Sequence, residues 1–191
     1  MNIRQRDFYL IPNILSVSRV IGVPIIVGFL YFEWNISALI TFLLVGLSDY
    51  IDGWVARRYN YESKLGMLLD PLADKLIILS TMIMLLWLGR LEVKIQGYQT
   101  DLIAPILVIV TVGREIAITG LRAIASTAGI VVAADKGGKI KTWIQFVSIS
   151  LLLTGFSSFV AFGQFLLGVS VVAALWSAIG YVFKFIKGLP A

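Results

Sequence analysis

The sequence predicts an all-α membrane protein with six transmembrane helices and a polar, cytoplasmic-facing cavity. Three observations predict it. Of the 191 residues, 59% are hydrophobic and only 14% charged, with a mean hydropathy of +0.91; a soluble domain usually carries about a quarter charged residues. The apolar residues gather into six runs, each near the roughly 20 residues that a helix needs to cross a bilayer. The carboxylates concentrate in one stretch, "SDYIDGWVARRYNYESKLGMLLDPLADK" (48–75), which holds four aspartates between two apolar runs.

The first span is expected at 12–32, where "VIGVPIIVGFL" dominates. Residues 1–11 read as an interfacial segment, and "MNIRQRDFYLIPNILSVSRV" lacks a short apolar core with a small-residue cleavage site, so no cleavable signal peptide is expected. The second span, 36–57, opens on "ISALITFLLVGL", and the third, 66–89, closes on "LIILSTMIMLLWLG". The remaining spans are expected at 101–125, 138–158 and 162–186. Connections are short except around "RLEVKIQGYQTD" (90–101) and "TAGIVVAADKGG" (127–138). With no internal repeat or low-complexity tract, 1–191 is expected to form a single domain.

An N-inside path exposes Arg4, Arg6, Arg57, Arg58, Lys64, Arg122, Lys136, Lys139, Lys141, Lys184 and Lys187 on or near the cytoplasmic side, and only Arg90 and Lys94 opposite. The positive-inside rule then makes both termini cytoplasmic. Topology and headgroup contact account for Arg4, Arg6, Lys184 and Lys187; membrane lipids are the expected neighbours, and no nucleic acid is.

The chain has no Cys and no His, which excludes thiolate nucleophiles, disulfides, Cys-based zinc sites and the commonest general base. Span 2 runs inward and span 3 outward, so Asp49, Asp52, Asp70 and Asp74 fall at one membrane depth. Asp49 and Asp52 are i, i+3, and Asp70 and Asp74 are i, i+4, so each pair shares a helix face. Gly66 extends the second face, while Gly53 and Ala56 leave room beside Asp52 for a backbone or bulky ligand. Four such carboxylates cannot all stay ionised in a low-dielectric site without compensation. They retain protons, as in a relay, or hold hard cations such as Mg²⁺, Mn²⁺ or Ca²⁺. Two divalent ions about 3.5–4 Å apart would clamp a phosphoryl-type transfer. Two structural alternatives stay open: Asp70 as the N-cap of a helix starting at Pro71, and pairing of the aspartates with Arg57, Arg58 and Lys75.

The pattern Asp49-x-x-Asp52-Gly53-x-x-Ala56-Arg57, eight residues, then Gly66-x-x-x-Asp70-x-x-x-Asp74 resembles the signature of the CDP-alcohol phosphotransferase family at all eight fixed positions. The resemblance implies a six-helix fold, a homodimer and two divalent cations, Mg²⁺ or Mn²⁺. It implies that Asp49, Asp52 and Asp70 bind metal, and that Asp74 is the base toward the acceptor alcohol with possible metal contact. Gly53, Ala56, Arg57 and Gly66, beside Asp49 and Asp52, would line the cytidine diphosphate pocket.

The acceptor is expected on the second half, where Arg114, Arg122, Lys136, Lys139 and Lys141 form a basic patch suited to a phosphate. Headgroup anchoring is the bland reading for Lys136, and Glu115 could brace a helix through a buried pair with Arg114. "GREIAITGLR", "GKIKT" and "PNILSVSR" resemble the branch of the family whose acceptor is sn-glycerol 3-phosphate. The implied reaction is CDP-diacylglycerol plus sn-glycerol 3-phosphate giving phosphatidylglycerol phosphate and CMP, at a bacterial plasma membrane. The alternatives are a sibling acceptor (inositol phosphate, phosphatidylglycerol or serine), a cation or proton transporter, and a non-catalytic scaffold. The uncharged outer halves of spans 2, 3, 5 and 6 count against a transport path.

Overall fold

The structure, a computed structural model, describes residues 11–59, 64–92, 102–127 and 136–188. Within these, side chains are described except at 11–16, 49–59, 64–71, 74, 126–127, 136–139 and 187–188. The described residues form six helices: α1 (Ile11–Tyr31), α2 (Asn35–Tyr59), α3 (Lys64–Trp87), α4 (Ile103–Thr127), α5 (Lys136–Leu153) and α6 (Ser157–Gly188). Each falls on an expected apolar run. By length and composition α4 and α6 can cross a membrane, over Ile103–Ala125 and Ser157–Ile186.

One boundary differs from the sequence-based expectation. α5 ends at Leu153 rather than near 158, and α6 starts correspondingly early, at Ser157. Gly155 adopts φ +75°, a left-handed conformation that glycine takes without a Cβ clash and that commonly ends a helix. The run "LLLTGF" is apolar on both sides of that glycine, so hydropathy does not reveal the break.

The chain divides into two compact units, one of α1–α3 with Leu153–Gly155, the other of Leu88–Leu152 and α6. In the first, α1 packs against both α2 and α3. A short turn, 32–34, joins α1 to α2, so the two run antiparallel, and four residues join α2 to α3, which brings α3 back parallel to α1. Tyr31 and Trp87, at the ends of α1 and α3, stack with centroids 6.0 Å apart and planes at 15°. The buried stripe of α1 is Arg19, Gly22, Ile26 and Leu30, spaced three and four residues apart as one helical face requires.

Gly22 marks the close approach of α1 to α2. A Cβ there would lie 2.9 Å from Val45 Cγ2, and a β-branched valine has little rotamer freedom with which to move aside. Gly22→Ala is therefore expected to push α1 off α2 and cost about 1–3 kcal/mol, as overpacked cores do. Gly28, in the same helix, has nothing within 4 Å of its notional Cβ, so Gly28→Ala should leave the thermal midpoint in detergent unchanged or slightly raised. Equal midpoints for the two variants would contradict the close approach.

In the second unit α4 and α6 run parallel. Arg114 Nε donates to the Ala174 carbonyl at 3.3 Å, and further along both helices the Arg122 guanidinium lies 5.6 Å from the Tyr181 ring centroid. α5 and α6 run antiparallel, pinned where Ser148 Oγ donates to the Gly163 carbonyl at 2.7 Å. The segment after α3 is held by side chains: Gln164 Nε2 donates to the carbonyls of Arg90 (3.0 Å) and Glu92 (2.9 Å), and Arg90 Nη1 donates to the Leu152 carbonyl at 3.3 Å.

Candidate active site

α2 is helical without interruption from Asn35 to Tyr59, and α3 from Lys64 to Trp87. α3 is already helical six residues before Asp70, so Asp70 does not cap a helix starting at Pro71. Among the described side chains of α3 the buried ones are Ala73, Ile77, Thr81, Met82 and Leu85. Stepping back from Leu85 through Thr81 and Ile77 at helical spacing reaches Asp74, Asp70 and Gly66 in turn. In α2 the buried Ala38 and Phe42 lead through Val45 to Asp49, Asp52 and Ala56 on the same register, with Gly53 beside them. The exposed positions Ile36, Ile40, Leu43, Leu44 and Leu47 fall on the other faces. Both aspartate pairs thus occupy positions that continue the buried stripes of their helices. The side chains of Asp49, Asp52, Gly53, Ala56, Arg57, Gly66, Asp70 and Asp74 lie outside the described residues.

The donor set on these two stripes is all carboxylate oxygen. In a chain without His or Cys, such a set fits hard divalent cations rather than zinc or copper.

In the second unit the structure brings Arg114 and Lys141 together on one carboxylate. Glu115 Oε1 accepts from Arg114 Nη1 at 2.5 Å and also from Lys141 Nζ. The side chains of Arg114, Glu115 and Lys141 are 8%, 19% and 7% exposed, so the triad ties α4 to α5 largely away from solvent. With two cations on one anion, its formal charge is positive. Arg122 sits apart from this carboxylate, against the ring of buried Tyr181. Lys136 and Lys139 lie in the first turn of α5, and their side chains lie outside the described residues, as do Arg4 and Arg6.

Sequence reasoning missed one residue. In the sequence Arg19 stands out only as part of a resembling segment, yet its side chain is 1% exposed. The available signal was its isolation: it is the only charge in "IPNILSVSRVIGVPIIVGFLY", and an ionisable residue inside an apolar span is a functional candidate by default.

Comparison with known proteins places these features in a lineage. The sequence profile described as CDP-alcohol phosphatidyltransferase matches residues 9–177, through both units. A Bacillus subtilis (strain 168) protein named CDP-diacylglycerol–glycerol-3-phosphate 3-phosphatidyltransferase is 35% identical over 158 residues, covering 75% of this chain and 76% of that one. An Arabidopsis thaliana protein, CDP-diacylglycerol–glycerol-3-phosphate 3-phosphatidyltransferase 2, is 31% identical over 185 residues, covering 91% of this chain and 78% of its own. A rice protein (Oryza sativa subsp. japonica) named cardiolipin synthase (CMP-forming) is 31% identical over 188 residues, covering 91% of this chain and 56% of its own. With the profile spanning most of its length and the aspartates in helical register on α2 and α3, the chain belongs to the CDP-alcohol phosphatidyltransferase family.

Proposed function

We propose that this protein transfers the phosphatidyl group of CDP-diacylglycerol to sn-glycerol 3-phosphate, giving phosphatidylglycerol phosphate and CMP. The observation that carries the reading is the similarity, across three quarters of both chains, to a relative named for that reaction. The acceptor hydroxyl oxygen bonds to the phosphorus that carries diacylglycerol, and the anhydride bond to CMP breaks. Asp74 takes the hydroxyl proton. Asp49, Asp52 and Asp70, with Asp74, would hold two divalent cations, Mg²⁺ or Mn²⁺, which when bound neutralise charge on the entering and leaving oxygens. Gly53, Ala56 and Gly66 leave space for the nucleotide, and Arg57 contacts its phosphates. The acceptor's own phosphate is assigned to Arg114, Arg122, Lys136, Lys139 and Lys141, where the excess positive charge around Glu115 favours an anion.

The same reading makes all six helices membrane spans, with both termini and the site cytoplasmic, in a bacterial plasma membrane and as a homodimer. Its physical support is the outer surface. Ile109 on α4 and Trp176 on α6 are 68% and 82% exposed, as lipid-facing positions tolerate and water-facing ones rarely do in such numbers. Tyr31, Phe32, Trp34 and Trp87 cluster, exposed, at the α1–α2 turn and the end of α3, where an aromatic belt would meet the headgroups.

A second reading takes phosphatidylglycerol as acceptor, favoured by the similarity to the cardiolipin synthase. An acceptor panel separates the two. Purified protein with Mg²⁺ and radiolabelled CDP-diacylglycerol should release CMP only when sn-glycerol 3-phosphate is present, with phosphatidylglycerol phosphate as the labelled lipid. Release with phosphatidylglycerol, and none with glycerol 3-phosphate, would transfer the assignment to the second reading.

A further inference from the structure

Among the described residues of the first unit, Arg19 is a fully buried charged side chain, 1% exposed. A guanidinium taken wholly out of water must meet opposite charge or acceptors close by, because its desolvation otherwise goes uncompensated. Its depth can be read from two contacts. Gly22 approaches Val45, and α1 and α2 run antiparallel, so stepping one turn back to Arg19 on α1 corresponds to stepping forward to Ser48 and Asp49 on α2. Tyr31 stacks on Trp87, and α1 and α3 run parallel. At about 1.5 Å of rise per residue, Arg19 lies about 18 Å back along α1 and Asp74 about 20 Å back along α3. Arg19 is thus level with one aspartate position on each neighbouring helix. It also shares the stripe of Gly22, Ile26 and Leu30, the one that approaches α2. Lys75, also at this depth, falls on a different face of α3 from Asp70, Asp74 and Ile77, at helical spacing.

We propose that Arg19 is the resident counter-charge of the carboxylate site: it offsets the repulsion between the aspartates of α2 and α3 while divalent cations are absent. Its burial makes it a positioning residue, acting through the carboxylates rather than on the substrate. The inference rests on the reading that these aspartates bind cations. Removal of the guanidinium leaves the like charges of the aspartates at this depth without a counter-charge in the cation-free protein, whereas bound cations supply the missing positive charge. The loss of stability should therefore be large without cations and small with them.

The test is thermal unfolding of the purified full chain in detergent, with and without Mn²⁺, for wild type, Arg19→Met, Arg19→Lys, Ile26→Ala and Asp70→Asn. Because a ligand that binds only the folded state raises its midpoint, Mn²⁺ should raise the wild-type midpoint, and Asp70→Asn should blunt the rise. In Arg19→Met the Mn²⁺-dependent rise should be about twice that of wild type or more, by the same linkage. Arg19→Lys, which keeps the charge, should behave more like wild type. Ile26→Ala removes buried apolar contact from the same stripe and should lower the midpoint equally with and without Mn²⁺. If Arg19→Met folds only when Mn²⁺ is present throughout purification, the proposal stands. If it loses the same stability in both conditions, or Mn²⁺ does not rescue its folding, the proposal is overturned. No Mn²⁺ response in wild type would instead count against the cation-binding reading itself.

Discussion

Asp70→Asn is expected to cut CMP release from CDP-diacylglycerol by about a thousandfold or more while the protein still folds. The substitution keeps the volume and planar shape of the side chain, removes its charge and replaces one acceptor oxygen with an amide donor. That charge sits on the one register of α3 that runs from buried Leu85 down through Ile77 to the aspartates. An all-oxygen site binds hard cations chiefly through anionic ligands, so under the proposed function the loss of one carboxylate would weaken the clamp on the departing phosphate where its charge develops. Leu72→Ala is the matching control, since Leu72 is 50% exposed and lies off that register; its CMP release should be unchanged. Full activity in Asp70→Asn, measured at saturating Mg²⁺, would remove Asp70 from the site and favour a structural role for the whole stripe.

Much of the architecture was legible because apolar runs near the length of a bilayer crossing leave little freedom. All six helices fall on the expected runs, and the aspartate pairs land on continuous helices, where i, i+3 and i, i+4 spacing has geometric meaning. The turn at Gly155 was not legible. Hydropathy records what a residue prefers to touch, whereas this break depends on a backbone conformation within an uninterrupted apolar run. Arg19 was hidden for a related reason. The sequence shows it as a lone charge within a resembling segment, and its burial emerges only from the face on which α1 packs. The basic patch was partly legible. Sequence separation set Lys141 apart from Arg114, and only the packing of α5 on α4 brings both to Glu115.

That triad carries the second large effect. Glu115→Gln is expected to cost about 3–5 kcal/mol of stability, the usual consequence of removing one partner from a buried ion pair. Glu115 Oε1 takes a hydrogen bond from Arg114 Nη1 at 2.5 Å and another from Lys141 Nζ. Glutamine can still accept through its carbonyl oxygen, so the variant isolates the charge. Without that charge, two cations less than a tenth exposed face each other in a low-dielectric helix interface. Arg114 keeps the Ala174 carbonyl through Nε, but a neutral acceptor does not offset the repulsion from Lys141. The signature is therefore coupling rather than magnitude. Lys141→Met alone should cost less than Glu115→Gln, because Arg114 and Glu115 remain paired. The double variant should be more stable than the sum of the single losses predicts, with a coupling of about 1–3 kcal/mol, because removal of Lys141 relieves the repulsion that Glu115→Gln creates. Thermal unfolding of the four proteins in one detergent measures it. Strictly additive losses would mean that Lys141 and Glu115 do not share the contact, and the tie between α4 and α5 would then rest on apolar packing alone.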